Sequence, residues 1–157
     1  MGVLSKGSQV WIAHGTPLVL TKMDCIKEFT WGDDSMGETD DTCLDDDSPV
    51  KTSTYTSVTP GEGSTAIDTD PENDTHIMLL SLAQDKERVE IYMGWSDGVG
   101  EPTLTGDVVT LPPTRTWSSA IAQLRKNPVT VAIDALNRHS IPFKRRTEVL
   151  EVFRVGA

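Results

Sequence analysis

Alternating apolar and polar positions run through most of this chain and predict β-strands. In the clearest case, apolar residues occupy every second position of residues 89–95. Period-two alternation of this kind is typical of a strand with one buried face. The same pattern predicts further strands at residues 9–13, 24–31, 52–58, 64–68, 108–111, 114–124 and 129–136, and a β-rich segment at 147–155.

One segment breaks the alternation and predicts a short α-helix over residues 71–84. Asp70 is the predicted N-cap, and Pro71 suits the first helical position, where its missing N–H costs nothing. Ile77 and Leu80 begin an apolar stripe at helical spacing. One short helix among many strands predicts a mainly β fold, with the helix covering an open side of a sheet.

Charge is distributed unevenly along the chain. The first 74 residues carry 15 acidic and 4 basic side chains, a net charge of −11, whereas residues 75–157 carry 9 and 10, a net of +1. Eight carboxylates with no basic residue between them are Asp33, Asp34, Glu38, Asp40, Asp41, Asp45, Asp46 and Asp47. Because like charges this dense repel one another, we expect a long acidic loop over residues 32–51. An acidic chain is also not expected to grip nucleic acid through phosphates.

The two ends of the chain are predicted to be arms on a β domain that covers residues 8–142. The N-terminal arm is residues 1–7, and the C-terminal arm is residues 143–157, beyond Pro142. The C-terminal arm contains a basic cluster and four apolar side chains, namely Lys144, Arg145, Arg146, Val149, Leu150, Val152 and Phe153. The basic cluster could pair with the acidic loop of its own subunit or with that of a neighbouring subunit.

Candidate chemistry is sparse. Gly94-Trp95-Ser96-Asp97-Gly98 matches the G-x-S-x-G nucleophile elbow, but residues 99–102 cannot form the helix that this elbow requires. We therefore interpret Ser96 as a loop residue and predict no catalytic residue, no metal site and no cofactor. No apolar run approaches the 18 residues of a membrane span, so no membrane anchor is expected.

The two cysteines, Cys25 and Cys43, have no metal-binding spacing. A hairpin centred on Asp34 would place them opposite each other. In a chain without an export signal, reduced thiols are the default expectation.

Four features, in this order and spacing, resemble the major tail tube proteins of long-tailed, non-contractile bacteriophages. They are the opening KGSQVW at 6–11, the acidic run DDTCLDDD at 40–47, the helix at 71–84, and the segments WSSAI at 117–121 and VTVAI at 129–133. Together these features cover most of residues 6–142.

The resemblance implies a β-sandwich or half-barrel subunit that forms hexameric rings stacked into a tube. It implies a structural virion protein of the tail, assembled in the host cytoplasm, rather than an enzyme. Tape-measure, tail-terminator and tail-tip proteins are implied partners, and double-stranded DNA would pass transiently through the lumen. The alternatives are a subunit of a related injection system, a tail terminator, or, less favoured, an acidic binding module or a small hydrolase.

Two sets of assembly residues are predicted on this basis. The eight carboxylates of the acidic loop, the basic cluster and the four apolar residues of the C-terminal arm are expected to contact neighbouring subunits or rings. Ser118, Thr130 and Asp134, on the predicted hairpin 114–136, are expected to face the lumen. Small and polar side chains there would leave a smooth, weakly negative wall.

Overall fold

The computed structural model describes residues 2–45 and 47–155. In chain order, the elements are β1 (Gln9–His14), β2 (Val19–Lys22), β3 (Ile26–Thr30), β4 (Ser35–Asp40), β5 (Ser53–Thr59), β6 (Glu62–Asp68), α1 (Asp74–Gln84), β7 (Arg88–Gly94), β8 (Thr103–Thr105), β9 (Val108–Thr110), β10 (Trp117–Leu124), β11 (Arg138–Arg145) and β12 (Leu150–Val152). The strands pair antiparallel, which confirms the prediction of a mainly β fold with one short helix over these residues.

Eight strands form one curved sheet in the order β2-β1-β7-β10-β11-β6-β3, with β12 paired to β10. Each pairing is antiparallel, so the two edge strands, β2 and β3, run in the same direction. Only three residues separate Lys22 from Ile26, which limits the distance between their Cα atoms to about 14 Å. β2 and β3 are therefore two halves of one bent strand, and the sheet curls until this strand connects its two edges.

The bend lies at residues 23–25 and is held by the helix. Cys25 has a φ of 52°, a left-handed conformation that redirects the backbone. The Asp24 N–H donates to the Thr75 hydroxyl at 3.2 Å, and the Asp24 carbonyl accepts from His76 Nε2 at 2.8 Å. Because His76 Nδ1 accepts a backbone N–H at 3.2 Å, the ring is the neutral tautomer with its hydrogen on Nε2. These hydrogen bonds therefore hold the helix and the bend in place relative to each other.

The hydrophobic core lies on the concave side of the sheet, where α1 packs. Leu79 and Ala83 of α1 are fully buried there. The sheet and its bend contribute Val10, Ile12, Met23, Ile67, Val89, Ile91, Ala122, Leu124, Ile141 and Phe143. Burying one large aliphatic or aromatic side chain stabilises the fold by about 1.5–3 kcal/mol. The predicted buried face of residues 89–95 is confirmed at Val89 and Ile91.

The convex side of the sheet carries a second cluster, built around a buried cation. The ring centroids of Trp11 and Trp117 lie 5.2 Å apart, and the Arg115 guanidinium carbon lies 5.8 and 5.3 Å from them. The guanidinium donates to three backbone carbonyls of residues 94–100 and to the Gln9 side chain, at 2.6–3.2 Å. The loop between β7 and β10 is therefore fixed to the convex side through its own backbone.

The start of the helix differs from the prediction. Asn73, not Asp70, is the N-cap, and its side chain accepts the Thr75 N–H at 3.0 Å. The Asp70 carboxylate instead accepts the Glu72 N–H at 3.0 Å. An aspartate that bonds to its own backbone two residues ahead forms a turn, which delays the helix.

The predicted strand at residues 129–136 is wrong. These residues form an exposed loop that has one isolated bridge, Thr130 to Arg138, and the last long strand is β11. β11 runs through Pro142, which the sequence pattern marks as a domain end. The Pro142 carbonyl accepts the Arg125 N–H at 2.9 Å. In an antiparallel strand the nitrogen and the carbonyl of one residue point to the same side, so the Pro142 nitrogen also faces the loop after β10. The N–H that proline lacks would not have paired with a strand there.

Two further expectations change. Within the predicted acidic loop 32–51, residues 35–40 form β4 and pair with β5, because the segment after the loop offers a strand partner. In the predicted C-terminal arm, Phe143 and Arg145 are buried residues of β11, and β12 continues along β10. The extent of the N-terminal arm stays a prediction.

The Arg115 cluster makes a testable contribution to stability. Arg115→Lys keeps the charge but cannot reach the same set of acceptors, so buried carbonyls lose their donors. We expect the free energy of unfolding to fall by about 2–4 kcal/mol in chemical denaturation. Arg125→Lys is the matched control, since Arg125 is exposed, and its effect should stay within about 0.5 kcal/mol. Equal stability of the two variants would contradict a stabilising role for the hydrogen bonds of the Arg115 guanidinium.

Candidate assembly surfaces

The β4–β5 hairpin, residues 35–59, stands apart from the rest of the subunit. Every residue of both strands is exposed, and among residues 2–45 and 47–155 the two strands pair only with each other. It nevertheless has a defined ladder, with a register shift between Met36 and Glu38. Large apolar side chains on and beside it are open to solvent, namely Met36, Leu44, Val50, Tyr55 and Val58. The hairpin is therefore a formed surface to which the described residues offer no further strand partner.

The base of the hairpin is anchored by an ion pair between the buried Arg145 and the exposed Asp34. Arg145, only 2% exposed, donates from Nη2 to Asp34 Oδ1. The same guanidinium donates to the carbonyl of Trp31 at 2.8 Å and to that of Gly32 at 3.2 Å. A Cβ at Gly61 would lie 1.9 Å from a backbone oxygen across the base, so only glycine fits there. The pairing of acidic loop and basic cluster within one subunit is therefore realised for Asp34 and Arg145.

Three carboxylates in the hairpin and at its base have pKa values below the ordinary range, each for a local reason. The Arg145 guanidinium holds the pKa of Asp34 low. Hydrogen bonds from Thr42 lower the pKa of Asp40. Asp41 accepts from the hydroxyls of Thr52 and Thr54, both at 2.5 Å, which lowers its pKa. Each of these three carboxylates therefore stays ionised to a lower pH than an ordinary aspartate does.

The other predicted contact residues of the acidic loop are exposed. Asp33, Glu38, Asp45 and Asp47 have no ion pair among the residues that the structure describes. Asp46 lies outside the described residues.

The predicted basic cluster is divided by the strand it lies on. Arg145 points into the subunit, whereas Lys144 and Arg146 are exposed on the other side. Val149 is half-buried. Leu150 and Val152 are exposed although β12 holds their backbone against β10, and Phe153, directly after β12, is exposed as well. Phe153 meets Trp95 edge to face at 6.2 Å. These apolar residues form a surface fixed to the subunit rather than a free arm.

The three residues predicted to face the lumen differ in their exposure to solvent. Ser118 is 1% exposed and accepts the Trp95 indole N–H at 2.9 Å, so it cannot face a lumen. Thr130 and Asp134 are exposed, but they lie on the loop between β10 and β11 instead of on a strand. Asp134 has a φ of 61° there. For these two residues, lumen exposure stays a prediction.

No catalytic arrangement accompanies Ser96. Its hydroxyl donates to the Leu4 carbonyl, which ties the N-terminal segment to the loop after β7. Among residues 2–45 and 47–155, no group of three His, Cys, Asp or Glu side chains is placed to hold a metal ion. Cys25 and Cys43 are both exposed free thiols, as expected for a chain without an export signal, and they do not pair across Asp34. Within the same residues, no helix has the length and apolarity to cross a membrane.

Sequence reasoning missed both buried arginines. Ile141, Phe143 and Arg145 occupy alternate positions of β11, so period-two alternation through Pro142 could have placed Arg145 inside. No comparable signal marks Arg115, which precedes β10 in a Pro- and Thr-rich stretch. Buried arginines of this kind can therefore be predicted from alternation only where the strand boundaries are known.

The ion pair at the hairpin base predicts a pH-dependent stability. Asp34→Asn should lower the thermal midpoint at pH 7, because Arg145 loses its charged partner. A carboxyl whose pKa is lowered on folding stabilises the protein above its unfolded-state pKa, and this contribution is lost as pH falls through the folded-state value. The difference between variant and wild type should therefore shrink as pH drops below the ordinary carboxyl pKa of 3.8.

Asp33→Asn is the control for this measurement, since Asp33 is exposed and has no ion pair among the described residues. It should leave the midpoint unchanged both at pH 7 and at pH 2. A constant difference between Asp34→Asn and wild type down to pH 2 would show that the charge of Asp34 is not what anchors the hairpin.

A family model for lambda-like phage tail tube proteins (TTP) matches residues 1–155. "Structural protein 3" of Pseudomonas phage PAJU2 is 27% identical over 120 residues, which cover 73% of this chain and 72% of that protein.

Two solved structures share the fold at very low sequence identity. The SPP1 tail tube, determined by solid-state NMR and cryo-EM, has a TM-score of 0.62 at 7% identity, over 99% of this chain and 81% of that chain. A chain of the anti-feeding prophage baseplate, from a 6-fold symmetrised cryo-EM structure, has a TM-score of 0.60 at 5% identity, over 99% of both chains. The protein described here therefore belongs to the lambda-like phage tail tube family, as a structural, non-enzymatic component of the virion tail.

Proposed function

We propose that this chain is the subunit that polymerises as stacked hexameric rings to form the tail tube, around a lumen through which double-stranded DNA passes. The observation that carries this proposal is the β4–β5 hairpin, which is formed and yet uncovered on every strand residue. An isolated two-stranded hairpin is marginally stable in water. A neighbouring subunit that covers the hairpin supplies the missing contacts.

The C-terminal surface is a second proposed contact with neighbouring subunits. Leu150, Val152 and Phe153 hold their side chains in solvent while their backbone is fixed. Burial in an interface would contribute about 1.5–3 kcal/mol for each large side chain that becomes fully covered. Exposed ion pairs of Lys144 and Arg146 with hairpin carboxylates would add about 0–1 kcal/mol each, so charge sets register more than affinity.

The charge of the subunit supports passage of DNA without binding. The chain carries a net charge of −10, and a hexameric ring repeats that charge six times. A lumen lined by such subunits repels phosphate, so DNA slides rather than sticks. On this proposal the tube assembles in the host cytoplasm, and the subunit contacts tape-measure, tail-terminator and tail-tip proteins.

Electron microscopy of the purified protein tests this function directly. A tube subunit should form long hollow tubes with six-fold symmetric cross-sections as the concentration rises. A tail terminator would stop at single rings. Particles that remain monomeric at every concentration, with or without added salt, would overturn the proposal.

Charge reversal on the hairpin provides a sharper test of its role. Glu38→Lys, Asp45→Lys and Asp47→Lys together should leave a folded subunit that no longer makes tubes, because complementary contacts become repulsive. Glu72→Lys, Asp85→Lys and Glu101→Lys change the net charge equally at exposed positions outside the hairpin. The measurement is the turbidity and electron microscopy of both variants. Tubes from the hairpin variant at wild-type concentration would exclude the hairpin as an assembly arm.

A further inference from the structure

The loop between β10 and β11 ends in an apolar tip, residues 129–136, that faces solvent. Its large side chains are exposed as follows: Val129 43%, Val131 68%, Ile133 92% and Leu136 71%. Single exposed apolar residues are normal on protein surfaces, but contiguous patches mark interaction sites. Four such residues in eight positions form a patch of this second kind.

The apolar tip is held in place at its base. Thr130 and Arg138 exchange backbone hydrogen bonds at 2.9 and 3.2 Å, and the Asn137 carbonyl accepts the Thr69 N–H at 2.9 Å. The Arg138 side chain donates to Asp68 at 2.9 Å. The tip is thus preorganised, and a partner that covers it loses little affinity to ordering of the chain.

A groove of about 370 Å³ opens at the place where the curled sheet fails to close. We call it the seam groove. The last backbone bond between the bent strand and β1 joins Met23 to Val10, at 2.8 Å, and past that point β3 diverges from β1. The apolar part of its lining is Val10, Ile26, Phe29, Met93 and Trp95, with Val3 and Leu4 at one side.

The apolar tip and the seam groove are different surfaces of the subunit. The tip follows the end of β10, level with the start of β7, whereas the groove reaches the opposite ends of these two strands at Met93 and Trp95. The β3 wall of the groove comes closer to the base of the tip, since Glu28 lies 4.0 Å from Arg138. A contact between two different surfaces is heterologous, so it propagates a stack instead of closing a dimer. A second copy of this chain supplies both surfaces.

Charged residues lie beside both surfaces. Arg125 and Lys126, at the base of the tip, have no carboxylate within 4.0 Å among the described residues. The groove lining carries one cation and one carboxylate, Lys27 and Glu28, and its wall β3 leads toward the acidic hairpin. Seating the tip in the groove of another copy therefore places Arg125 and Lys126 against a subunit whose net charge is −10.

We propose that the apolar tip of one subunit docks in the seam groove of a second copy and forms the head-to-tail contact of the polymer. This inference rests on the proposed tube function and adds the contact that sets its polarity. Ile133 and Leu136 enter the groove, and the N-terminal segment at Leu4 forms its rim. Docking also covers Asp134, so it competes with the prediction that Asp134 faces the lumen.

Polar substitutions on the tip test the contact. Ile133→Asp with Leu136→Asp should raise the protein concentration needed for tube formation at least about tenfold. The variant subunit should keep its thermal midpoint, because these side chains make no core contact. Val99→Asp with Val108→Asp is the matched control, since both residues are exposed outside tip and groove and the charge change is the same.

Cross-linking tests the docking partner itself. In a background with Cys25→Ser and Cys43→Ser, Ile133→Cys and Leu4→Cys are introduced together under mild oxidation. A head-to-tail contact should give a ladder of covalent dimers, trimers and longer chains on a denaturing gel. Each single variant alone should give no ladder, and a mixture of the two single variants should stop at dimers. Val99→Cys replaces Leu4→Cys in the control pair and should give none.

The two proposals fail in different ways. Wild-type protein that never forms tubes overturns the proposed function. Wild-type tubes together with normal tubes from Ile133→Asp with Leu136→Asp overturn the docking contact alone. Tubes of the double cysteine variant that yield no ladder also overturn it, and in that case a lumen position for the loop is favoured.

Discussion

Closure of the curled sheet by one bent strand is the constraint on which the other features of this subunit depend. β2 pairs with β1 and β3 pairs with β6, so a single segment connects the two edges of the sheet. The turn at Cys25 makes this change of partner possible, and Thr75 and His76 of the helix hold it in place. Because the strand changes partner midway, β3 separates from β1 beyond the bend, and the seam groove opens between them.

Two buried arginines organise the end of the sheet that carries the hairpin and both termini. Arg115 fixes the loop after β7, and Arg145 fixes the base of the hairpin, in both cases largely through backbone carbonyls. Loops tied down in this way present their outer surfaces in a defined orientation without packing those surfaces. A subunit that must recognise copies of itself benefits from this division between a rigid base and an uncovered tip. The arginines therefore connect the stability of the fold to its assembly surfaces.

Sequence patterns predicted the elements whose burial follows a single period. β7 and most of the helix were found because alternate or helically spaced apolar residues all face one core. The strand predicted at residues 129–136 failed because Val129, Val131 and Ile133 alternate without being buried. Alternating apolar residues indicate a surface that is stabilised by burial. They do not indicate whether that surface is buried within the subunit or against another subunit. β11 was missed for the opposite reason, since Pro142 reads as a break although its nitrogen faces no ladder partner.

The misread loop shows how folding and assembly are separated in this chain. The core and the bend satisfy the residues that hold the subunit together, whereas the apolar tip and the β4–β5 hairpin contribute few internal contacts. Stability of the isolated subunit therefore depends little on the apolar tip and the hairpin, whereas the seam groove is lined in part by core residues such as Val10. A net charge of −10 opposes association of isolated subunits. Apolar contacts have to overcome that repulsion, and local pairs of opposite charge then select the orientation in which they can do so.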